Sequence, residues 1–237
     1  MERLDKLLAS TGRWSRKEVK ELVRQGRVSV RGQSVARPEE KCDLSDDIRV
    51  DGQPVCCQKY TYLMMNKPGG LLSATEDKRQ RTVLDLLPEQ YQRQGLFPVG
   101  RLDKDTEGLL LLTNDGELAH GLLAPKNHVD KVYLARVSGR VDAEDVQAFR
   151  QGLTLGDGLQ CMPAGLEPLG DGSCCLVTLR EGKFHQVKRM LACRGKPVEY
   201  LKRLSMGALK LDERLAPGQW RELSEVELEL LEKREAD

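Results

Sequence analysis

Gly100-Arg101-Leu102-Asp103-Lys104-Asp105-Thr106-Glu107-Gly108-Leu109-Leu110-Leu111-Leu112-Thr113-Asn114-Asp115-Gly116 is the most informative stretch of this chain. A charged run rich in turn formers gives way to the uncharged residues 109–113, and an Asn-Asp-Gly signal closes the stretch. That order describes a polar turn feeding a buried strand that ends in a tight turn. It sets the Asp103 carboxylate at the lip of a sheet. The residues alone leave Asp103 two roles, a reactive carboxylate or a cap on the turn.

Outward from this stretch, strand-like and helix-like segments mix without a regular βαβ alternation. Residues 132–137 and 175–179 have the composition of buried strands, and the apolar run Tyr62-Leu63-Met64-Met65 opens the part of the chain that carries them. Helices are expected to begin after Thr82, Asp142, Phe184 and Ser224, with Gly152 and Gly195 stopping the second and third. This mixture specifies an α+β fold, with a mixed, largely antiparallel sheet flanked by helices. The first sixty residues form a separate module. Ser15-Arg16-Lys17-Glu18 has the form of a capping box, so a helix should start at Arg16, and Gly26 should end it. Val19, Leu22 and Val23 share its core face, while Arg16, Lys20 and Arg24 step by four along a basic stripe. Val28-Ser29-Val30 and Ile48-Arg49-Val50, followed by Arg31-Gly32 and Asp51-Gly52 turns, predict small strands and hairpins. A boundary near residues 58–61 gives domains 1–59 and 60–237.

The net charge of +1 conceals a segregation. Residues 1–31 carry nine bases against four acids, a balance of +5, and residues 180–203 carry eight against two, a balance of +6. Two basic segments on a near-neutral chain point to a localised polyanion site. No apolar run approaches the roughly 20 residues of a membrane helix, and the N-terminus is charged where a signal peptide is apolar, so a cytoplasmic protein without a membrane partner is expected. The seven cysteines, with Cys56-Cys57 and Cys174-Cys175 adjacent, lack metal-ligand spacing and are expected to be reduced structural thiols.

The N-terminal module resembles the S4 RNA-binding domain (αL-type) in R-L-D-K-L-L-A at 3–9, S-R-K-E-V-K-E-L-V-R-Q-G-R-V at 15–28 and V-D-G at 50–52. The 100–116 string resembles the central motif of the pseudouridine synthases of the RsuA branch, in which the aspartate after R-L is catalytic. The resemblance implies that role for Asp103. Met65-Asn66-Lys67-Pro68-Gly69-Gly70 resembles the family's N-K-P-x-G turn, Lys131-Val132-Tyr133 the K-x-Y segment that brings the active-site tyrosine, and residues 181–190 the third motif. The last implies Lys188 as the basic partner of Asp103, with Val187 packing near the base. Leu215-Ala216-Pro217-Gly218-Gln219-Trp220-Arg221-Glu222-Leu223 resembles the closing segment. Taken as residues alone, Tyr133 is a core side chain, Lys188 a solvated helix flank and His185 structural or RNA-facing.

The implied activity is isomerisation of a uridine to pseudouridine with the base flipped out, a redox-neutral reaction for which neither cofactor nor metal is expected. Asp103, Tyr133 and Lys188 form the implied catalytic set. Arg3, Arg16, Lys17, Lys20, Arg24, Arg27, Lys67, Arg101, Lys183, His185 and Arg189 are the expected RNA contacts, Arg101 helping to occupy the place of the extruded base. The run at 124–133 and the H-Q-V-K-R-M string most resemble the enzyme acting on 16S ribosomal RNA, which makes that RNA the expected partner of a monomer. Large-subunit or transfer-RNA synthases, a non-catalytic S4-type assembly factor, and an RNA hydrolase using Asp103 and Asp105 are the alternatives.

Overall fold

The structure, a computed structural model, describes residues 1–124, 127 and 129–232. Packing divides the chain into two compact units, one of Met1–Thr61 with Leu84–Phe97, the other of Tyr62–Val83 with the chain from Pro98 onward.

In the first unit the helices Leu4–Ser10 and Arg16–Arg24 cover a four-stranded sheet ordered Gln33–Ser34, Val28–Val30, Ile48–Val50, Gln53–Pro54. The capping box is formed: the Glu18 amide donates to the Ser15 hydroxyl at 3.2 Å, and the Ser15 amide to the Glu18 carboxylate at 2.6 Å. Val19, Leu22 and Val23 bury against Leu4, Leu8 and Val28. Arg31-Gly32 and Asp51-Gly52 take positive φ at both residues, as tight hairpins of this hand require.

One segment departs from the expected division. Residues 84–97, assigned from sequence to the second domain, pack with the first. Gly12 has φ +73°, and a Cβ there would lie 1.8 Å from the Gln90 carbonyl oxygen, so only glycine admits this approach. The Gln94 amide donates to the Thr11 carbonyl at 2.9 Å. The helix expected after Thr82 is a single 3-10 turn, Val83–Leu86, because Pro88 disfavours the helical region for Leu87.

The second unit is built on a nine-stranded sheet whose main path runs Gly165–Leu169, Cys174–Leu179, Lys131–Val137, Val198–Met206, Glu107–Thr113, Tyr62–Lys67, Trp220–Glu222. Its neighbours on this path are antiparallel except Val198–Met206 beside Glu107–Thr113, which run parallel with Lys202 opposite Glu107 and Arg203 opposite Gly108. The sheet is therefore mixed and largely antiparallel, in an α+β fold. Gly108, at φ +100°, makes the parallel contact possible: a Cβ there would fall 2.2 Å from the Arg203 carbonyl oxygen. Helices Ala143–Gln151 and Glu225–Glu232 begin after Asp142 and Ser224 as expected, and Gly152 caps the first. Asn114-Asp115-Gly116 ends its strand, but Asp115 also caps the helix Gly116–Leu123, accepting from the Glu117 and Leu118 amides at 3.0 and 3.1 Å. The helix expected after Phe184 starts one residue later, at Gln186–Cys193, because His185 adopts a left-handed φ of 50°. All seven cysteines are free. Among the described residues no helix is long and apolar enough to cross a membrane.

Candidate active site

The loop that carries Asp103 precedes the Glu107–Thr113 strand and is fixed from beneath. The Ser73 hydroxyl donates to the Leu102 carbonyl at 3.0 Å and accepts from the Leu102 amide at 3.2 Å, pinning the residue before Asp103. The Thr106 amide closes a turn onto the Asp103 carbonyl at 3.1 Å, and the Gly70 amide donates to the Lys104 carbonyl at 2.7 Å. Lys67 completes the support. Its ammonium donates to the carbonyls of Pro68, Lys104 and Thr106 at 2.9, 3.1 and 2.9 Å.

Lys67 is 0% exposed, which removes it from the expected RNA contacts. Burial lowers its ammonium to about 8, against the pull of the nearby Asp105, Glu107 and Asp103 carboxylates. The N-K-P-G-G segment thus braces the loop, with the lysine turned inward because three backbone carbonyls need a donor there.

Above this support, Asp103 faces a cleft of about 60 Å³ lined by Arg101, Tyr133, Lys183, His185, Val187 and Leu201, among others. Lys188, from the first turn of the Gln186–Cys193 helix, places its ammonium 3.1 Å from one Asp103 oxygen. His185 lies 3.5 Å from the other. Lys188 also donates to Asp105 at 2.5 Å, so one lysine holds two carboxylates. Burial pulls the lysine's proton affinity down, but the hydrogen bonds to Asp105 and Asp103 outweigh it and hold Lys188 above its ordinary value. The same hydrogen bond keeps Asp105 below the usual carboxylate range.

Tyr133 is buried on the Lys131–Val137 strand and presents itself to the cleft. Arg101 is exposed at its edge. The structure brings Asp103, Tyr133, Arg101, His185 and Lys183 to one cleft, with Lys188 joined to it through Asp103. Lys183 is turned aside: its ammonium pairs with the buried Glu181 carboxylate at 2.8 Å and bonds the Gln160 carbonyl. Arg189 pairs with Asp157 at 2.6 Å. In the first unit Arg3, Arg24 and Arg27 pair with Asp5, Glu21 and Asp51 respectively, while Arg16, Lys17 and Lys20 are exposed and have no ion pair among the described residues.

Sequence reasoning missed the supporting residues. Asp105 stood only in the hydrolase alternative, and its two-residue spacing from Asp103 within a turn was the available signal. Ser73 had none, since it meets Leu102 only in the folded chain. Glu181 was quoted as part of the third motif, yet its burial and its bond to Gln186 depend on the approach of the Met162 amide, which donates to it at 2.8 Å.

Residues 61–193 match the family of RNA pseudouridylate synthases, and residues 2–48 match the S4 domain. The chain is 49% identical to an uncharacterized RNA pseudouridine synthase of Bacillus subtilis, covering 99% of this chain and 100% of that protein. It is 40% identical to ribosomal small subunit pseudouridine synthase A of Pseudomonas aeruginosa, over 95% and 98% of the two. It is 38% identical to ribosomal large subunit pseudouridine synthase B of B. subtilis, over 98% and 96%. A crystal structure of a pseudouridylate synthase, 33% identical, superposes with a TM-score of 0.69 and covers 98% of this chain and 100% of that one.

Proposed function

The chain belongs to the RNA pseudouridylate synthase family and carries an S4 domain, and on that premise we propose that it isomerises a specific uridine of 16S ribosomal RNA, with Asp103 as the reacting carboxylate. The observation that carries this reading is the Asp103 carboxylate itself, held at 3.1 Å by Lys188 on a braced loop at the cleft. One oxygen is oriented by the lysine, and the carboxylate remains at the surface of the cleft where an extruded nucleoside would enter.

Asp103 either attacks ribose C1′ or abstracts a sugar proton, and the bond from C1′ to N1 breaks. The base turns within the cleft, C5 joins C1′ as the Asp103–C1′ bond breaks or as the abstracted proton returns to the sugar, and C5 then loses its proton while N1 gains one. Tyr133 stacks on the base and assists that proton transfer in this reading, which its position in the lining of the cleft supports. Lys188 keeps the carboxylate aimed throughout. Atoms and electrons balance within the nucleoside, so these side chains supply orientation, charge and proton transfer rather than redox equivalents.

The small-subunit assignment rests on the H-Q-V-K-R-M string at 185–190 and is supported by the name of the P. aeruginosa relative. Pro125, Lys126 and His128 of the run at 124–133 lie outside the described residues. The B. subtilis large-subunit relative favours a second reading, 23S RNA, at nearly equal identity. Tritium release from uridine C5 in transcribed 16S and 23S RNA separates them, with Asp103→Asn as control. Release from 16S by the wild type alone is the expected result. Release from 23S only transfers the activity to the second reading, and release by both proteins moves the chemistry away from Asp103.

A further inference from the structure

Phe184, 73% exposed, is the most exposed aromatic ring among the described residues. Single exposed apolar side chains are common, but this one is built into the site. Its ring stacks on the His185 imidazole, with centroids 3.8 Å apart and planes at 20°. His185 holds a left-handed φ of 50°, a conformation unfavourable for a residue with a side chain, at the start of the helix that bears Lys188. Arg189, one turn on, donates to the Phe184 carbonyl at 3.5 Å while its charge is held by Asp157.

The two rings therefore form a continuous deck. Its inner edge, His185 Nε2, lies 3.5 Å from the Asp103 carboxylate, and its outer ring stands in solvent. An apolar π face left in water beside a reacting carboxylate matches the face of a nucleobase, which stacks without regard to its identity. Extruding a uridine from RNA strips the neighbouring base of a stacking partner, and a deck at the mouth of the cleft restores one. We propose that Phe184, backed by His185, is a positioning residue that stacks on the unpaired base adjoining the target uridine. The inference deepens the reading of the site as an RNA uridine isomerase and rests on it. Phe184 holds the neighbouring nucleotide, a different position from the vacated place assigned to Arg101.

The test uses the full chain and naked transcribed ribosomal RNA. Phe184→Ala should raise KM roughly ten-fold, the scale of one base–aromatic stack, and leave the single-turnover rate at saturating RNA within about two-fold. Phe184→Tyr should restore KM. Phe184→Leu, apolar but without a π face, should not. Emission from Phe184→Trp should be quenched when RNA is added, beyond the change that Trp14 and Trp220 give in the wild type. An unchanged KM for Phe184→Ala, full rescue by leucine, or unquenched emission from the tryptophan variant would overturn the proposal. An effect seen only with assembled subunits, and not with naked RNA, would overturn it in favour of a protein contact. The emission measurement requires no turnover. Quenching by an RNA that stays unmodified would therefore retain the deck and remove the isomerase reading, whereas normal modification by Phe184→Ala would do the reverse.

Discussion

Residues 1–31 and 180–203 are both strongly basic in sequence, with balances of +5 and +6, and the fold uses them in opposite ways. In the first, Arg3 pairs with the buried Asp5, Arg16, Lys17 and Lys20 stay exposed without an ion pair among the described residues, and Arg24 with Glu21 and Arg27 with Asp51 join exposed side chains. Such pairs contribute little and exchange readily for phosphate. In the second, Arg180, Lys183, Lys188, Arg189, Arg194 and Lys196 each pair with a carboxylate. Two of those carboxylates, Glu181 and Asp145, are buried. Arg203 is itself 2% exposed and bonds the Leu109 carbonyl. The first stretch leaves cations open to solvent, while in the second most are tied to carboxylates, Asp103 among them. The sum of charges along a segment does not reveal which of these it does.

The sharpest division between the two regions comes from the chemistry. Asp103→Asn should reduce tritium release by roughly 10³-fold or more, about 4 kcal/mol of barrier, with RNA affinity little changed. Lys188→Met should cost roughly 10²-fold in kcat, about 2.7 kcal/mol, and Lys188→Arg should recover part of it; a change confined to KM would make Lys188 an RNA contact instead of the partner of Asp103.

Stability measurements come next. Arg194→Met leaves the Asp145 carboxylate, 1% exposed, with the Asp142 amide at 3.2 Å and Lys196 at 3.6 Å, so chemical denaturation should show a loss of about 2–3 kcal/mol. Its RNA affinity should stay within about two-fold; a weaker complex with intact stability would place the second segment on the RNA surface after all. Lys67→Met should lose about 2 kcal/mol by leaving carbonyls without a donor. This lysine also carries a pH signature. Its folded value of about 8 lies below the ordinary 10.5, so between these the unfolded chain binds more protons and wild-type stability gains as pH rises. The wild type minus Lys67→Met difference in denaturation midpoint should therefore widen through that window, and a flat difference would contradict a desolvated ammonium. The smallest effect is in salt dependence. Joint replacement of Arg16, Lys17 and Lys20 by alanine should lower the slope of log affinity against log salt by about 2, near 0.7 per lost phosphate contact on single-stranded RNA. Arg194→Ala, whose partner carboxylate is buried, should leave the slope unchanged.

Local signals were legible wherever the partner groups lie close in sequence. The Ser15–Glu18 capping box, the hairpin corners at 31–32 and 51–52, and the caps at Asp142 and Gly152 all form between residues a few positions apart. The Val198–Met206 strand at the middle of the sheet was missed because its Lys202 and Arg203 break the apolar pattern, and its partners, Lys131–Val137 on one side and Glu107 with Gly108 on the other, are distant in sequence. The helix Gly116–Leu123 was read as a turn because Asp115 serves both.

The sequence by itself determined the class of fold, the S4-like module and the family, since motif spacing and short-range hydrogen bonds depend only on neighbours along the chain. Tertiary structure alone decided that Lys67 faces inward, that Lys188 bridges Asp103 and Asp105, that residues 84–97 pack with the first unit, and that Phe184 stands out of the surface. Each of these depends on which distant carbonyl, carboxylate or ring arrives beside a side chain, and long-range approach of that kind is set by the packing of the whole sheet rather than by any local run of residues.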